Sequence, residues 1–262
     1  MKHDIFFIDA FADEIFSGNP AAVIFSHFDD DVMQKIAAEN NLSETAFIDL
    51  EKNYIRWFSP ECEVDLCGHA TLASAYAFFE YVDIKSDSIT FNSNSGELKA
   101  SKQDSIIQLD FPKDNFNEVN EIESVFKATN IYPQKTFLGD INLFAVFNSE
   151  KEIEDINPNF DLLKQLPGQG LIVSSLSEKY DFVSRYFCPK FGINEDPVTG
   201  STHTTLIPYW SDRLNKKKLS AKQISLRGGE LFCINEESRV LIGGNATPVS
   251  YTHLTLPTKR IV

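Results

Sequence analysis

The sequence predicts an α+β protein of two similar domains, each a barrel-like, mostly antiparallel sheet around a central apolar helix. Three observations predict this. The stretch Arg56–Tyr76, RWFSPECEVDLCGHATLASAY, returns in weaker form at Arg185–Tyr209, RYFCPKFGINEDPVTGSTHTTLIPY. Arg56, Phe58 and Pro60 match Arg185, Phe187 and Pro189 at one constant offset, and Asp65 falls near Asp196. Gly68-His69-Ala70 lines up with Gly200-Ser201-Thr202 once three residues are inserted. A self-match within one chain implies two similar halves. The segment His69–Val82 is apolar around nearly its whole circumference, as expected of a helix enclosed on all sides. Many short strand patterns surround one such helix in each half, without the βαβ alternation of a doubly wound parallel sheet.

Taken in order, Asp4–Asp9 (DIFFID) alternates as a strand. Ser17-Gly18-Asn19-Pro20 is a turn, and Ala21–Phe25 resumes a strand, giving a hairpin-like pair. Asp29–Asn40 reads as a helix started by aspartates, with Val32, Ile36 and Ala37 on one stripe. Thr45–Leu50 and Tyr54–Phe58 are strands. After the central helix, Ser88–Phe91, Gly96–Ala100 and Ser105–Asp110 complete the first sheet. The polar, proline-led segment after Phe111 marks a boundary, giving domains 1–112 and 113–248.

The second half repeats the plan. Ile122–Thr129 is a helix, and Tyr132–Leu138 and Ile141–Phe147 are strands. A short helix starts at Asn157-Pro158 and ends before Pro167. Gly170–Ser175 and Asp181–Phe187 are strands, followed by the second central helix, Ser201–Leu214. Ile224–Leu226, Glu230–Ile234 and Arg239–Ile242 close the sheet. Val249–Thr258 (VSYTHLTLPT) resembles the in-frame translation of a sequencing-library adapter. On that reading residues 249–262 form a tail of cloning or sequencing origin, outside the fold and the site.

The 262 residues suffice for two ordinary domains. A net charge of −14 argues against a nucleic-acid backbone or an anionic membrane surface as partner. The early acids of MKHDIFFIDAFADEIF and the lack of a long apolar run make a signal peptide or membrane span unexpected. The four cysteines fit no zinc spacing and are expected as reduced thiols in a cytoplasmic protein.

Chemistry concentrates at the two glycine turns. Helix starts at Gly68 and Gly200 expose backbone N–H groups, and the helix dipole favours an anion there, so a carboxylate or phosphate could be held without arginine. His69 either caps its helix or acts as a positioned acid, base or donor. Asp196 is either a turn residue or a carboxylate that orients substrate or a neighbouring base. Glu44 lies between Leu42 and Ala46-Phe47, and a carboxyl held among apolar neighbours can shuttle a proton. Cys67 could be a thiol base, but its place in the repeat holds Thr199. A hydroxyl cannot serve as the second base of a two-thiol racemase. His203 reads as structural or as support behind the site.

Four motifs carry a resemblance: Ser17-Gly18-Asn19-Pro20-Ala21-Ala22-Val23, Ser43-Glu44-Thr45-Ala46-Phe47, Asp65-Leu66-Cys67-Gly68-His69-Ala70-Thr71 and Glu195-Asp196-Pro197-Val198-Thr199-Gly200-Ser201. In this order and spacing the chain, to about residue 248, resembles the phenazine-biosynthesis PhzF-like family. The resemblance implies a diaminopimelate epimerase-like fold with a substrate site in the cleft between the domains. It also implies an isomerase that moves a proton without cofactor or metal. Glu44 would be the acid/base, His69 and Asp196 positioning and proton-relay groups, and Gly68, Gly200 and Ser201 the carboxylate cradle, with Asn19 and Ala70 also at the substrate. A small carboxylate-bearing metabolite is the implied partner, and a homodimer is compatible with the resemblance. Cys67 before Gly68, and Thr202-His203-Thr204 after Ser201, depart from the phenazine enzyme. Two other functions stay open: an amino-acid epimerase or racemase using Cys67, and a metabolite-binding protein without catalysis.

Overall fold

A computed structural model describes residues 2–255. The chain forms two compact units, one built from residues up to Leu109 together with those from Gly244 onward, the other from Asp110–Gly243.

The first unit contains β1 (Lys2–Ala10), β2 (Asn19–Ile24), α1 (Asp30–Asn40), β3 (Glu44–Asp49), β4 (Tyr54–Phe58), β5 (Glu63–Val64), α2 (Gly68–Ala77), β6 (Ser88–Ser93), β7 (Gly96–Gln103) and β8 (Ile106–Pro112). The chain leaves this unit within β8. The second unit holds β9 (Asn117–Val119), α3 (Ile122–Thr129), β10 (Lys135–Leu138), β11 (Leu143–Val146), α4 (Glu150–Asp155), α5 (Phe160–Leu163), β12 (Leu171–Leu176), β13 (Phe182–Cys188), β14 (Ile193–Asp196), α6 (His203–Leu214), β15 (Lys218–Gln223), β16 (Gly229–Asn235) and β17 (Arg239–Gly244). β18 (Ala246–Thr255) then returns to the first unit.

In the first unit β1 lies between β2 and β18, antiparallel to both. β2 pairs parallel with β3, and β3 antiparallel with β4. The strands curl around α2, which packs on β1, β2, β3, β7 and β18. All of α2 except Tyr76 is buried, as its all-round apolar sequence dictates. It runs on into a π-helical turn at Phe78–Val82. A second layer forms where α1 lays Met33, Ile36 and Ala37 on Ile5, Ala22, Ile24, Phe47 and Phe58.

Gly18 fixes the entry to β2. Its φ is +65°, and a Cβ there would lie 2.2 Å from the Ala10 carbonyl oxygen, so only glycine fits this turn.

In the second unit the strand pleat sends alternate side chains to opposite faces. Leu143, Ala145, Leu171, Val173 and Phe187 meet Val125, Ile153 and Leu163 of the flanking helices and Ile156 just after α4. Phe144 and Phe182 face the other way, onto Tyr209 and Trp210 of α6. The Trp210 indole N–H donates to Ser174 Oγ at 2.9 Å, satisfying its polar edge.

Three expectations are corrected, and one helix is added. The last part of the sheet contains β15 at Lys218–Gln223, while the predicted strand Ile224–Leu226 is a bend with Leu226 fully exposed. The apolar pair Ile224 and Leu226 misleads there, because pairing with β13 and β16 engages the preceding residues. α6 begins at His203 and not at Ser201. His203, Thr204 and Thr205 donate instead to carbonyls three residues back, at 3.0–3.2 Å, which makes a tight turn ahead of the helix. α4 was not foreseen, since Glu150–Asp155 carries one core residue, Ile153. The segment from Gly244, placed by the sequence partly in the second domain and partly in a tail, lies in the first unit. There Ala246–Thr255 pairs with β1 from Ala10 to Lys2, and residues 256–262 fall outside the described residues. No helix among the described residues is long and apolar enough to cross a membrane.

Candidate active site

The repeated stretch builds the same brace twice. Arg56 Nε and Nη2 donate to Glu63 Oε1 and Oε2, each at 2.7 Å, and the guanidinium lies 5.1 Å from the Phe58 ring centre. Arg185 donates to Glu195 at 2.7 and 2.9 Å and lies 4.8 Å from the Phe187 ring centre. Each brace ties a long strand to the short strand before the glycine turn. Trp57 pairs with Val64 in the first unit, and Tyr186 pairs with Asp196 in the second. Trp57 and Tyr186 stand at equal places in the repeat. The residue matching Asp196 is therefore Val64, one place before Asp65. The three inserted residues fall in the helical turn at Pro189–Phe191 and the adjoining Gly192, ahead of Glu195. From there Cys67 matches Thr199, Gly68 matches Gly200, and His69 matches Ser201.

In the first unit β2, β3 and α2 deliver Asn19, Glu44 and His69 to one point. Asn19 opens β2, Glu44 opens β3, and His69 lies in the first turn of α2. Asn19 Nδ2 donates to His69 Nδ1 at 3.1 Å. An amide N–H₂ only donates, so in this orientation of Asn19 the ring is neutral with its proton on Nε2, and a charged ring takes the Asn19 amide turned over, its oxygen accepting from Nδ1. His69 Nε2 lies 3.2 Å from Glu44 Oε2. His69 is buried, whereas the Glu44 side chain keeps 15 % of its surface open to solvent. Glu44 is thus the more open member of the pair.

Cys67, the last residue before α2, joins this group. Its Sγ lies 3.5 Å from His69 Nδ1 and 4.0 Å from Nε2. Burial and the neighbouring Glu44 push the thiol up to about 11, against the opposing pull of His69 and the Ala70 amide. It is therefore a thiol at neutral pH. Burial opposes a charge on His69, but the Cys67 and Glu44 side chains outweigh it and hold the imidazole above its ordinary range. Since Cys67 stays protonated, the anion that faces His69 is Glu44.

In the second unit Asp196 ends β14, buried, and accepts from Thr199 Oγ1. Gln223 of β15, which the sequence did not single out, holds this loop from behind. Its Nε2 donates to the Asp196 carbonyl at 2.7 Å and to Thr199 Oγ1 at 3.2 Å, and its Oε1 accepts from the Thr199 amide at 2.9 Å. A lone glutamine among Lys, Ile and Ser carries no pattern signal. Its role exists only once β15 pairs beside β13. His203 donates from Nδ1 to the Thr199 carbonyl at 2.8 Å, and burial pushes it down to about 4, so it is a neutral supporting residue. Gly200 and Ser201 lie in the turn before α6, and their carbonyls accept from His203 and Thr204.

Asn19, Glu44, Cys67, Gly68, His69 and Ala70 are thus gathered in the first unit, and Asp196, Thr199, Gly200, Ser201 and Gln223 in the second. The family model described as phenazine biosynthesis-like protein matches residues 8–252. This chain belongs to that family. It is 44 % identical over 253 residues to an uncharacterised isomerase of Pseudomonas aeruginosa, covering 95 % of this chain and 97 % of that one. A crystal structure of a PhzF-family protein from Enterococcus faecalis superposes with a TM-score of 0.94 at 44 % identity, covering 98 % of this chain and all of the other. This PhzF-like chain is an isomerase. A probable proline racemase from Agrobacterium radiobacter K84, crystallised with carbonate, matches at a TM-score of 0.62 and 10 % identity over 99 % of this chain and 94 % of that one. That likeness concerns the fold alone. The PhzF-like chain has the diaminopimelate epimerase-like fold.

Proposed function

We propose that this PhzF-like isomerase moves a proton on a small carboxylate-bearing metabolite, with Glu44 as the acid/base and no group beyond the protein's own side chains. The observation that carries the reading is the Glu44–His69 pair, Oε2 to Nε2 at 3.2 Å, with Asn19 fixing the other ring nitrogen. A carboxylate held by a buried donor and open on one side can take a proton from a substrate carbon and return it to another. His69 Nε2 lies beside the carboxylate as its ion-pair partner and orients it. The Gly68 and Ala70 amides lie at the start of α2, where the helix dipole favours a substrate carboxylate. Asp196, Gly200 and Ser201 are assigned to the same substrate on the strength of the family resemblance.

Isotope incorporation tests the reading. Small amino, hydroxy and cyclic diene carboxylates would be incubated in D₂O with the wild type and with Glu44→Gln, and the mass of each compound followed. Deuterium uptake that vanishes in Glu44→Gln supports the proposal. Uptake that persists in the folded variant sinks it.

A second reading, epimerisation with Cys67 as a base, draws on the 3.5 Å contact between Cys67 Sγ and His69 Nδ1. Against it stands the residue at the matching place of the repeat, Thr199, whose hydroxyl donates to Asp196. Uptake at an α-carbon that is lost in Cys67→Ser but kept in Glu44→Gln would favour this second reading.

A further inference from the structure

Glu44, Cys67 and His69 place one ligand atom each within 4.8 Å of one another. The three differ in kind: a carboxylate oxygen, a thiol sulfur and an imidazole nitrogen. Catalytic zinc sites hold the metal with three such protein ligands and leave a fourth position open. Tetrahedral coordination at about 2.3 Å to sulfur and about 2.0–2.1 Å to nitrogen and oxygen sets ligand atoms roughly 3.3–3.6 Å apart. Here His69 Nε2 lies 3.2 Å from Glu44 Oε2 and 4.0 Å from Cys67 Sγ. A shift of about 1 Å in the carboxylate and thiol closes the set around an ion.

We propose that this cluster is a binding site for a thiophilic divalent cation of the zinc type, taken up in competition with substrate. The support around it suits a metal. His69 would bind through Nε2, because Nδ1 is engaged by Asn19. A metal on Nε2 requires the ring proton to move to Nδ1, which then needs an acceptor. Rotating the Asn19 amide by half a turn presents its carbonyl oxygen to Nδ1, so the one residue can serve the free and the metal-bound ring. Cys67 and His69 are fixed by α2 and its preceding residue, while Glu44, the ligand more open to solvent, gives the ion its way in. The thiol loses its proton to solvent as the sulfur–metal bond forms. No electron is transferred. The same arrangement cannot form in the second unit, where the residues matching Cys67 and His69 are Thr199 and Ser201.

Binding of the ion would occupy Glu44 and His69 together, and it would arrest proton transfer reversibly. That consequence rests on the proposed function, whereas the binding does not. A titration with Co²⁺ as an optical probe keeps the two apart. The full chain, freed of metal by EDTA and dialysis, would be titrated with Co²⁺ and followed for the near-ultraviolet thiolate-to-cobalt band, then challenged with Zn²⁺. A saturable band at one ion per chain, displaced by Zn²⁺, is expected. It should disappear in Cys67→Ser, survive in Cys62→Ser, which removes the exposed thiol, and need at least about tenfold more Co²⁺ in Glu44→Gln. His69→Gln gives the same readout should Cys67→Ser not fold. A band that remains in Cys67→Ser or follows Cys62 overturns the proposal, and so does folded wild type without any thiolate band at saturating Co²⁺. Loss of deuterium uptake on adding Zn²⁺, restored by EDTA, would then connect the site to turnover. An enzyme that shows no uptake on any compound leaves the titration result standing on its own.

Discussion

Glu44 and His69 meet Oε2 to Nε2 at 3.2 Å, although they lie 25 positions apart, at the starts of different elements. The contact exists because β2 and β3 run parallel, with Ala21 opposite Glu44, and because α2 starts beneath them. Replacing Glu44 by glutamine keeps the volume and removes the base. Proton exchange should fall by about 10²–10⁴-fold, with thermal stability close to that of the wild type. Mass-spectrometric uptake and a melting curve on the same sample check both.

Gln223 supports Asp196 and Thr199 through three hydrogen bonds with no solvent contact. Gln223→Leu fills the same space but leaves the Asp196 carbonyl and the Thr199 amide buried without that partner. Each such group costs about 1–3 kcal/mol, so a loss of about 2–6 kcal/mol in urea unfolding is expected. Gln223→Glu keeps the acceptor for the Thr199 amide but sets an anion against the Asp196 carbonyl, and it should be no better.

His203 makes stability depend on pH. Folding lowers it from 6.5 to about 4 by burial. Between those values the unfolded chain binds a proton that the folded chain does not, so falling pH favours unfolding. This contribution is intact above about pH 6.5 and is lost as pH falls through about 4, to a limit of roughly 3 kcal/mol. In His203→Gln the stability difference between pH 7 and pH 4.5 should shrink by most of that amount, as read by denaturant unfolding at the two pH values.

Gly18 has a positive φ and no room for a side chain against the Ala10 carbonyl. Gly18→Ala should destabilise the first unit by about 1–3 kcal/mol, because strain and clash add. It should also disturb Asn19 and with it the His69 tautomer. Histidine resonances in a nitrogen-correlated NMR spectrum report on that directly.

β18 completes the first sheet by pairing with β1, and the Tyr251 ring lies tilted against that of Phe6, centroids 5.0 Å apart. A chain ended after Pro248 leaves Lys2–Phe7 of β1 without that neighbour and opens a strand edge. Lower melting temperature and concentration-dependent aggregation by light scattering are expected. Equal stability of the shortened chain would show that Val249–Thr255 adds nothing to the fold.

Much of this was legible in the sequence. Arg56-x-Phe58-x-Pro60 and its copy at Arg185 disclosed two related units, since a guanidinium stacked on the next inward aromatic is a local feature of one strand. The apolar girth of α2 disclosed an enclosed helix, because burial on all sides is written in every residue of it. Glu44, His69 and Asp196 each stand in a short motif, Ser43-Glu44-Thr45, Gly68-His69-Ala70 and Glu195-Asp196-Pro197. What the sequence lacked was the pairing that decides neighbours. Val64 in place of Asp65 as the match of Asp196 follows from the strand register, which the hydrophobic pattern fixed only to within a residue. Gln223 gained its role from β15 lying beside β13, and Cys67 joined Glu44 and His69 through a helix start meeting a strand start. Local periodicity and turn chemistry act over a few residues, and they set the elements and the repeat. Which side chains from distant segments share a few ångströms depends on how the sheet closes around α2, and only the tertiary structure decided that.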